Sequence, residues 1–317
     1  MNDKILEISK VTKVYKSNSI IRKITSKNSN GIVLENVNFS LERGKIYGLI
    51  GRNGSGKSTL IKIIAGISNA TEGRIRIFGE DDEENLRQAR KAIGFLIEEP
   101  ALHFGMTAKE NMQLFQKIKG ISDNSSIDEI LKMVKLHDCN KKKVRNFSLG
   151  MKQRLGVALA LVGNPEILIL DEPMNSIDPY GVVEIRNILK KICSERNITM
   201  LVTEHDLNNL YLLATDYIII DKGHIKDEIT LEQLKEKCKK YILLRTDEPE
   251  RMACILEDVL KTTNYRVMPD KSIRLYDDID EVELLARTFL EKKLLVTNLS
   301  YECGTLEDYF LSVVRRA

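Results

Sequence analysis

GRNGSGKST, residues 51–59, is the stretch on which the reading of this chain turns. It follows the apolar run IYGLI (46–50) and leads into KSTLIKIIAG (57–66), a strand, a glycine-rich turn and a helix in that order. Gly51, Gly54 and Gly56 let the backbone curl so that consecutive N–H groups point at one anion. The helix that begins near Lys57 adds the positive end of its dipole. Lys57 supplies a point charge for β- and γ-phosphates, Ser58 offers a hydroxyl to Mg²⁺, and Thr59 is a further donor near the α-phosphate. With Asn53 and Ser55 between them, these residues form a predicted phosphate cradle.

The second half of such a site is EILILDEP (166–173). A buried apolar strand ends there in two carboxylates, at the edge where α/β sheets place their ligands. Asp171 is positioned to hold Mg²⁺ through water, and Glu172 to polarise an attacking water as general base. Helix 180–196, strand ITMLVT (198–203), helix 206–213 and strand YIIID (217–221) continue an alternating β/α order, which predicts a parallel sheet with helices on its faces.

Around this centre the chain changes character three times. Residues 1–47 read as β-rich, since ILEISKVTKVY (5–15) and IVLENVNFSLERGKIYGLI (32–50) alternate apolar and polar residues. The polar, basic segment 16–31 between them reads as an extended hairpin loop, or equally as an insertion without function. EDDEEN (80–85) reads as a solvated acidic loop, and residues 105–145 as amphipathic helices, TAKENMQLFQKIKG and SIDEILKMVKLHD. Beyond about 230 the order β-α-β-β-α-β with a closing helix suggests a small ferredoxin-like module.

Composition narrows the function classes. Of the 317 residues 43% are hydrophobic and 30% charged, an ordinary globular balance, and the net charge of +3 does not point to nucleic acid. Five scattered cysteines, Cys139, Cys193, Cys238, Cys254 and Cys303, show no C-x-x-C pair, which fits reduced thiols in a cytosolic protein better than a disulfide framework or a zinc site. MNDKILEISK lacks a signal-peptide core, and no stretch approaches the roughly 18–20 apolar residues of a spanning helix. LGVALALVG (155–163) is too short, and LYLLATDYIII (210–220) is short and carries Asp216.

The segment before the acidic strand is the most specific. FSLGMKQR (147–154) resembles the ABC signature, NSID (175–178) the D-loop, and His205 in LVTEHDL the switch histidine of the same family. Order and spacing agree with ABC ATPases over about residues 4–228. The resemblance implies an α/β fold of the P-loop NTPase class. It would carry an N-terminal antiparallel β subdomain, a helical subdomain over about 100–160 and a small α+β C-terminal domain, with boundaries at 1–228 and 229–317. It also implies ATP and Mg²⁺ as ligands, and two such domains meeting head to tail, as a homodimer or with a second ATPase subunit. Ser148 and the Gly150 N–H would then contact the γ-phosphate of the partner's nucleotide, His205 would position Glu172 and water, and Tyr15 would lie against adenine.

Two departures from the family pattern stand out. Glu98 in IGFLIEEP occupies the place of the Q-loop glutamine; spacing from Ile93 and Gly94 favours it over Glu99. Glutamate also ligates Mg²⁺, but adds negative charge beside a triphosphate. In the signature, Leu149 replaces a glycine and Met151 a glutamine. Together with the tail, these features resemble the bacitracin-resistance and lantibiotic-immunity exporter ATPases. That resemblance implies a cytoplasmic ATPase, peripheral on the inner face of the cell membrane, that drives export of an antimicrobial peptide or other amphiphile through a separate integral membrane permease, whose coupling helix the helical segment would receive. Two other readings stand beside it. A soluble ABC ATPase working on ribosomes or DNA is disfavoured by a single ATPase half and by the short interval 60–146 between cradle and signature. A regulatory subunit of low turnover is suggested by Glu98, Leu149 and Met151, and opposed by Lys57, Asp171, Glu172 and His205.

Overall fold

The computed structural model describes residues 4–15, 31–97, 99–122, 125–139, 141–238, 240–276 and 282–315. The segment expected as a hairpin loop, apart from Gly31, and Glu98 lie outside the described residues.

The chain opens with two long strands, β1 (Lys4–Val14) and β2 (Ile32–Glu42), followed by β3 (Ile46–Ile50), α1 (Lys57–Ile64) and β4 (Glu72–Ile77). β1 pairs antiparallel with both β2 and β4, giving a three-stranded sheet in the order β2-β1-β4. Next come α2 (Glu83–Ala89), β5 (Ile93–Leu96), α3 (Ala108–Ile118), α4 (Ser126–Met133), α5 (Leu149–Ala160) and β6 (Ile167–Asp171). The acidic run at 80–85 is thus only partly a loop. Asp82 accepts from the Asn85 N–H as an N-cap, and Glu83 and Glu84 sit in the first turn of α2, where the helix dipole favours negative charge. The helices of 105–145 are shorter than the sequence suggests. A Thr107–Glu110 capping box starts α3, and left-handed residues at Gly120 and Lys135 follow α3 and α4.

α6 (Pro179–Arg196), β7 (Thr199–Thr203), α7 (Leu207–Tyr211), β8 (Asp216–Asp221) and β9 (His224–Thr230) complete a six-stranded sheet in the order β5-β6-β7-β3-β8-β9. Its first five strands are parallel, and β9 returns antiparallel on β8. β3, β6 and β7 are buried along their whole length, as parallel strands covered on both faces must be. Leu6, Leu34 and Leu41 of the small sheet, Leu49 and Ile218 of the large one, and Leu60, Ile61 and Ile64 of α1 share one apolar cluster. Burying each such side chain is worth roughly 1.5–3 kcal/mol. Gly94 shows how tightly α5 rides on the sheet edge: a Cβ there would overlap the Ala160 carbonyl.

After α8 (Leu231–Lys237) come β10 (Lys240–Arg245), α9 (Pro249–Asp258), β11 (Tyr265–Val267), β12 (Ile273–Leu275), α10 (Val282–Glu291), β13 (Asn298–Cys303) and α11 (Leu306–Arg315). The sheet order β11-β12-β10-β13, antiparallel throughout, is that of a split β-α-β module. Ile242, Leu244 and Ile273 pack there against Met252, Leu256 and Phe289, a core separate from the first. The chain divides into two compact units, 1–231 with 313–317, and 232–312. Among the described residues no helix is long and apolar enough to cross a membrane, and Cys139, Cys193, Cys238 and Cys254 are thiols.

Candidate functional site

The site forms where β3, β7 and β6 end side by side. Leu49 of β3 pairs with Thr203 of β7, and Thr203 pairs with Asp171 of β6, so the three C-terminal ends finish level. The glycine loop leaves β3 at this edge and turns into α1 through Gly56, whose φ of 110° is open to few residues besides glycine. A Cβ on Gly56 would also come within 2.5 Å of Leu34 Cδ2.

Neighbouring turns brace the loop. The Gly223 N–H donates to the Ser55 carbonyl at 3.0 Å, and the Glu35 N–H to the Gly223 carbonyl at 2.9 Å, tying β2 and the β8–β9 turn to the cradle. The Lys57 ammonium donates to the Gly51 carbonyl at 2.6 Å. Burial lowers its pKa, and the nearby Glu172 and Asp171 oppose that. Ser55 is buried, and its hydroxyl is without a hydrogen-bond partner. A buried hydroxyl without a partner just before a helix N-terminus suits an anionic ligand. Asn53, Gly54 and Ser58 are exposed on the same loop and first turn, and Gly51 and Thr59 are half-buried.

Facing the cradle, Asp171 is 8% exposed and accepts a short hydrogen bond from the Thr203 hydroxyl. The next residue, Glu172, adopts a left-handed conformation at φ 53°. Its N–H donates to the Thr203 carbonyl and hydroxyl oxygens, both at 3.1 Å. Its carboxylate is held from two sides: His205 Nε2 lies 2.8 Å from Oε1, and the Asn175 amide donates to Oε2 at 2.9 Å. The fold therefore brings Lys57, the adjacent pair Asp171 and Glu172, and His205, three separate stretches of the sequence, to one sheet edge. Ser58 and Asp171 offer the hard oxygen donors that Mg²⁺ takes, few in number as suits an ion that keeps waters and substrate phosphates.

Other expected residues stand elsewhere. Ser148 is the N-cap of α5, its hydroxyl accepting from the Met151 N–H at 3.3 Å. Ser148 is exposed, Leu149 is 46% exposed, and Gly150 follows in the first turn. None of the bonds described above reaches this turn. Tyr15 directly follows β1; its N–H donates to the Gly31 carbonyl at 2.8 Å, and its exposed ring has Lys13 Nζ 4.9 Å from its centroid. Glu98 lies outside the described residues, and its competitor Glu99 is exposed.

Three contacts of the site went unread in the sequence. Thr203 links both acidic residues, Asn175 orients Glu172, and Glu204 is a buried carboxyl, 6% exposed, that accepts from the Met174 N–H at 2.8 Å. Burial pushes Glu204 up to about 7, against the help of the Met174 N–H and with that of the charges on Glu172, Asp206 and Asp171. The available signal was the polar T-E-H continuation of an otherwise apolar strand.

Known proteins resemble this chain in sequence and in fold. The sequence model of a family described as ABC transporter matches residues 34–175. The bacitracin transport ATP-binding protein of Bacillus licheniformis is 35% identical over 310 residues, 98% of this chain and 97% of that protein. The lantibiotic transport ATP-binding protein of Streptococcus pyogenes is 42% identical over 214 residues, 67% of this chain and 91% of that protein. A solved ATP-binding cassette, dimeric and in a post-hydrolysis state with ADP and Pi, aligns at a TM-score of 0.60 and 30% identity, covering 71% of this chain and 98% of that one.

Proposed function

The chain belongs to the ABC transporter family, and from that premise we propose that it powers export of an antimicrobial peptide or a similar amphiphile through a separate membrane permease. It is an ATP-binding cassette and an ATPase. The export reading is supported by its full-length similarity to a protein named for bacitracin transport and by its similarity to one named for lantibiotic transport. In this reading residues 1–228 are the nucleotide-binding domain, 100–160 its helical subdomain, and 229–317 an accessory domain. The protein sits on the inner face of the cell membrane, held there by the permease.

The observation that carries the catalytic assignment is the Glu172 carboxylate clamped between His205 at 2.8 Å and Asn175 at 2.9 Å, at the sheet edge shared with the cradle. Gly51, Asn53, Gly54, Ser55, Gly56, Lys57 and Thr59 bind the phosphates of ATP, Lys57 through its charge and the others through the loop and first turn. Tyr15 packs on adenine. Ser58 and Asp171, with Glu98, hold Mg²⁺. When bound, that ion neutralises charge on the β- and γ-phosphoryl oxygens. Glu172 accepts a proton from water as the water oxygen bonds to the γ-phosphorus and the bond to the β–γ bridging oxygen breaks. His205 fixes the Glu172 carboxylate and meets the γ-phosphate. Ser148 and the Gly150 N–H, at a helix N-terminus, complete the site of a second cassette, so ATP joins two copies or one copy and a different ATPase subunit.

The test is purification of the tagged full-length Glu172→Gln variant from membranes with ATP present. The expected result is a nucleotide-bound dimer that carries a multi-span membrane protein with it. A chain that binds ATP yet never recovers with an integral membrane protein would overturn the transport reading.

A further inference from the structure

Glu204 is the buried ionisable group at this site that the mechanism above does not use. It stands immediately before His205, at the end of β7, and its carboxylate crosses to the segment that follows Glu172, where it accepts the Met174 N–H at 2.8 Å. Met174 is itself buried, 3% exposed, and lies in a turn over 173–176 that leads to Asp178. Asn175 returns from that turn to hold Glu172, and Asp178 caps α6 by accepting from the Gly181 N–H at 3.0 Å. A single side chain thus joins the backbone that carries His205 to the backbone that carries Asn175, and these two residues are the ones that grip the Glu172 carboxylate.

A carboxyl buried among Asp171, Glu172 and Asp206 costs stability, so the fold retains it against its own electrostatics. The bond it makes does not depend on charge, because a carboxyl oxygen accepts from an N–H whether the group is ionised or protonated. What the bond requires is reach. Glutamate spans from the end of β7 to Met174; an aspartate, one methylene shorter, does not without backbone movement.

We infer that Glu204 is a positioning residue for ATP hydrolysis: by accepting the Met174 N–H it locks the segment that carries His205 to the turn that carries Asn175, so that both grips on Glu172 keep one register. This rests on the assignment of Glu172 as the base. Glu204 is buried and acts through Met174, so its effect belongs to kcat and not to ATP binding.

The test compares Glu204→Gln, which keeps reach and loses charge, with Glu204→Asp, which keeps charge and loses reach, in the full-length chain. Steady-state ATPase assays and thermal melts are run on both, with Glu172→Gln as control. Displacing a catalytic group by about an ångström costs up to about a hundredfold, so Glu204→Asp is expected to lose about tenfold or more in kcat with KM for ATP within about twofold. Glu204→Gln is expected within about twofold of the unaltered chain in both constants. An Asp variant with unchanged kcat, a Gln variant as impaired as Asp, a change confined to KM, or an Asp variant that melts below the assay temperature would each overturn the inference. If Glu172→Gln itself turns over normally, the assignment of the base has failed, and the inference fails with it.

Discussion

In the proposed function the glycine loop and the signature turn both bear on phosphate, and the fold treats them in opposite ways. The loop at 51–59 is braced by the β8–β9 turn through Ser55, packed on Leu34 at Gly56, and closed on itself by Lys57 and the Gly51 carbonyl. Its acidic counterpart is held just as firmly, with Thr203, His205 and Asn175 all bonded to Asp171 or Glu172. The turn at 148–151 shows one Ser148–Met151 cap and an exposed Leu149. The same anion-binding device, a helix N-terminus, is braced beside the acidic strand in one place and presented on an unbraced turn in the other. The difference supports the proposal that one half-site is assembled within the chain and the other acts on what another subunit brings.

Substitutions on each side should break or sharpen this contrast. The largest effect belongs to Glu172→Gln. Loss of a general base is expected to lower kcat by about 10²–10⁴-fold with ATP affinity retained, read by phosphate release and fluorescent-nucleotide titration. Equal loss of binding and turnover would show that the carboxylate serves the cradle.

Next is Glu204→Gln, read as stability against pH. Below the ordinary carboxylate value of 4.5 the side chain is protonated in both folded and unfolded states and costs nothing. As pH rises from 4.5 towards about 7, the unfolded chain ionises first and the folded state loses stability; above that the loss is complete. Glutamine removes the loss, so the variant should gain on the unaltered chain between pH 5 and 8, by on the order of 3 kcal/mol at most. Denaturant melts at the two pH values check the sign.

Gly56→Ala follows. A Cβ at φ 110° that also meets Leu34 should cost about 1–3 kcal/mol and weaken nucleotide binding. Calorimetric titration with ATP measures it, and an unchanged affinity would mean the loop has more freedom than its bracing implies. The smallest effect is Ser148→Ala. Loss of the cap should cost about 1 kcal/mol and lower turnover while leaving ATP binding to the single chain intact. A fall in single-chain affinity would place the signature turn in the chain's own site and erase the contrast.

Where local rules govern, the sequence was legible. The glycine spacing, the apolar strand ending in Asp171 and Glu172, and the alternating β/α order all describe neighbours along the chain, and they reappear as β3–α1, β6 and the parallel sheet. The β-α-β-β-α-β reading of the tail reappears as strands β10 to β13. The acidic run at 80–85 misled because Asp82 acts through its own backbone neighbour as a cap, which charge alone does not reveal. The roles of Thr203 and Glu204 were invisible for a different reason: each matters through a partner on another element. Asn175 stood in the NSID motif, but its bond back to Glu172 did not show in it.

By itself, then, the sequence determined the phosphate cradle, the two carboxylates and the order of strands and helices, because those follow from backbone freedom and hydrophobic period along contiguous residues. Only the tertiary structure decided that β3, β7 and β6 end level, that His205 and Asn175 grip Glu172 from opposite sides, and that Glu204 joins the two grips. Strand order and register arise from burying apolar faces across the whole sheet, a long-range condition that no local stretch encodes.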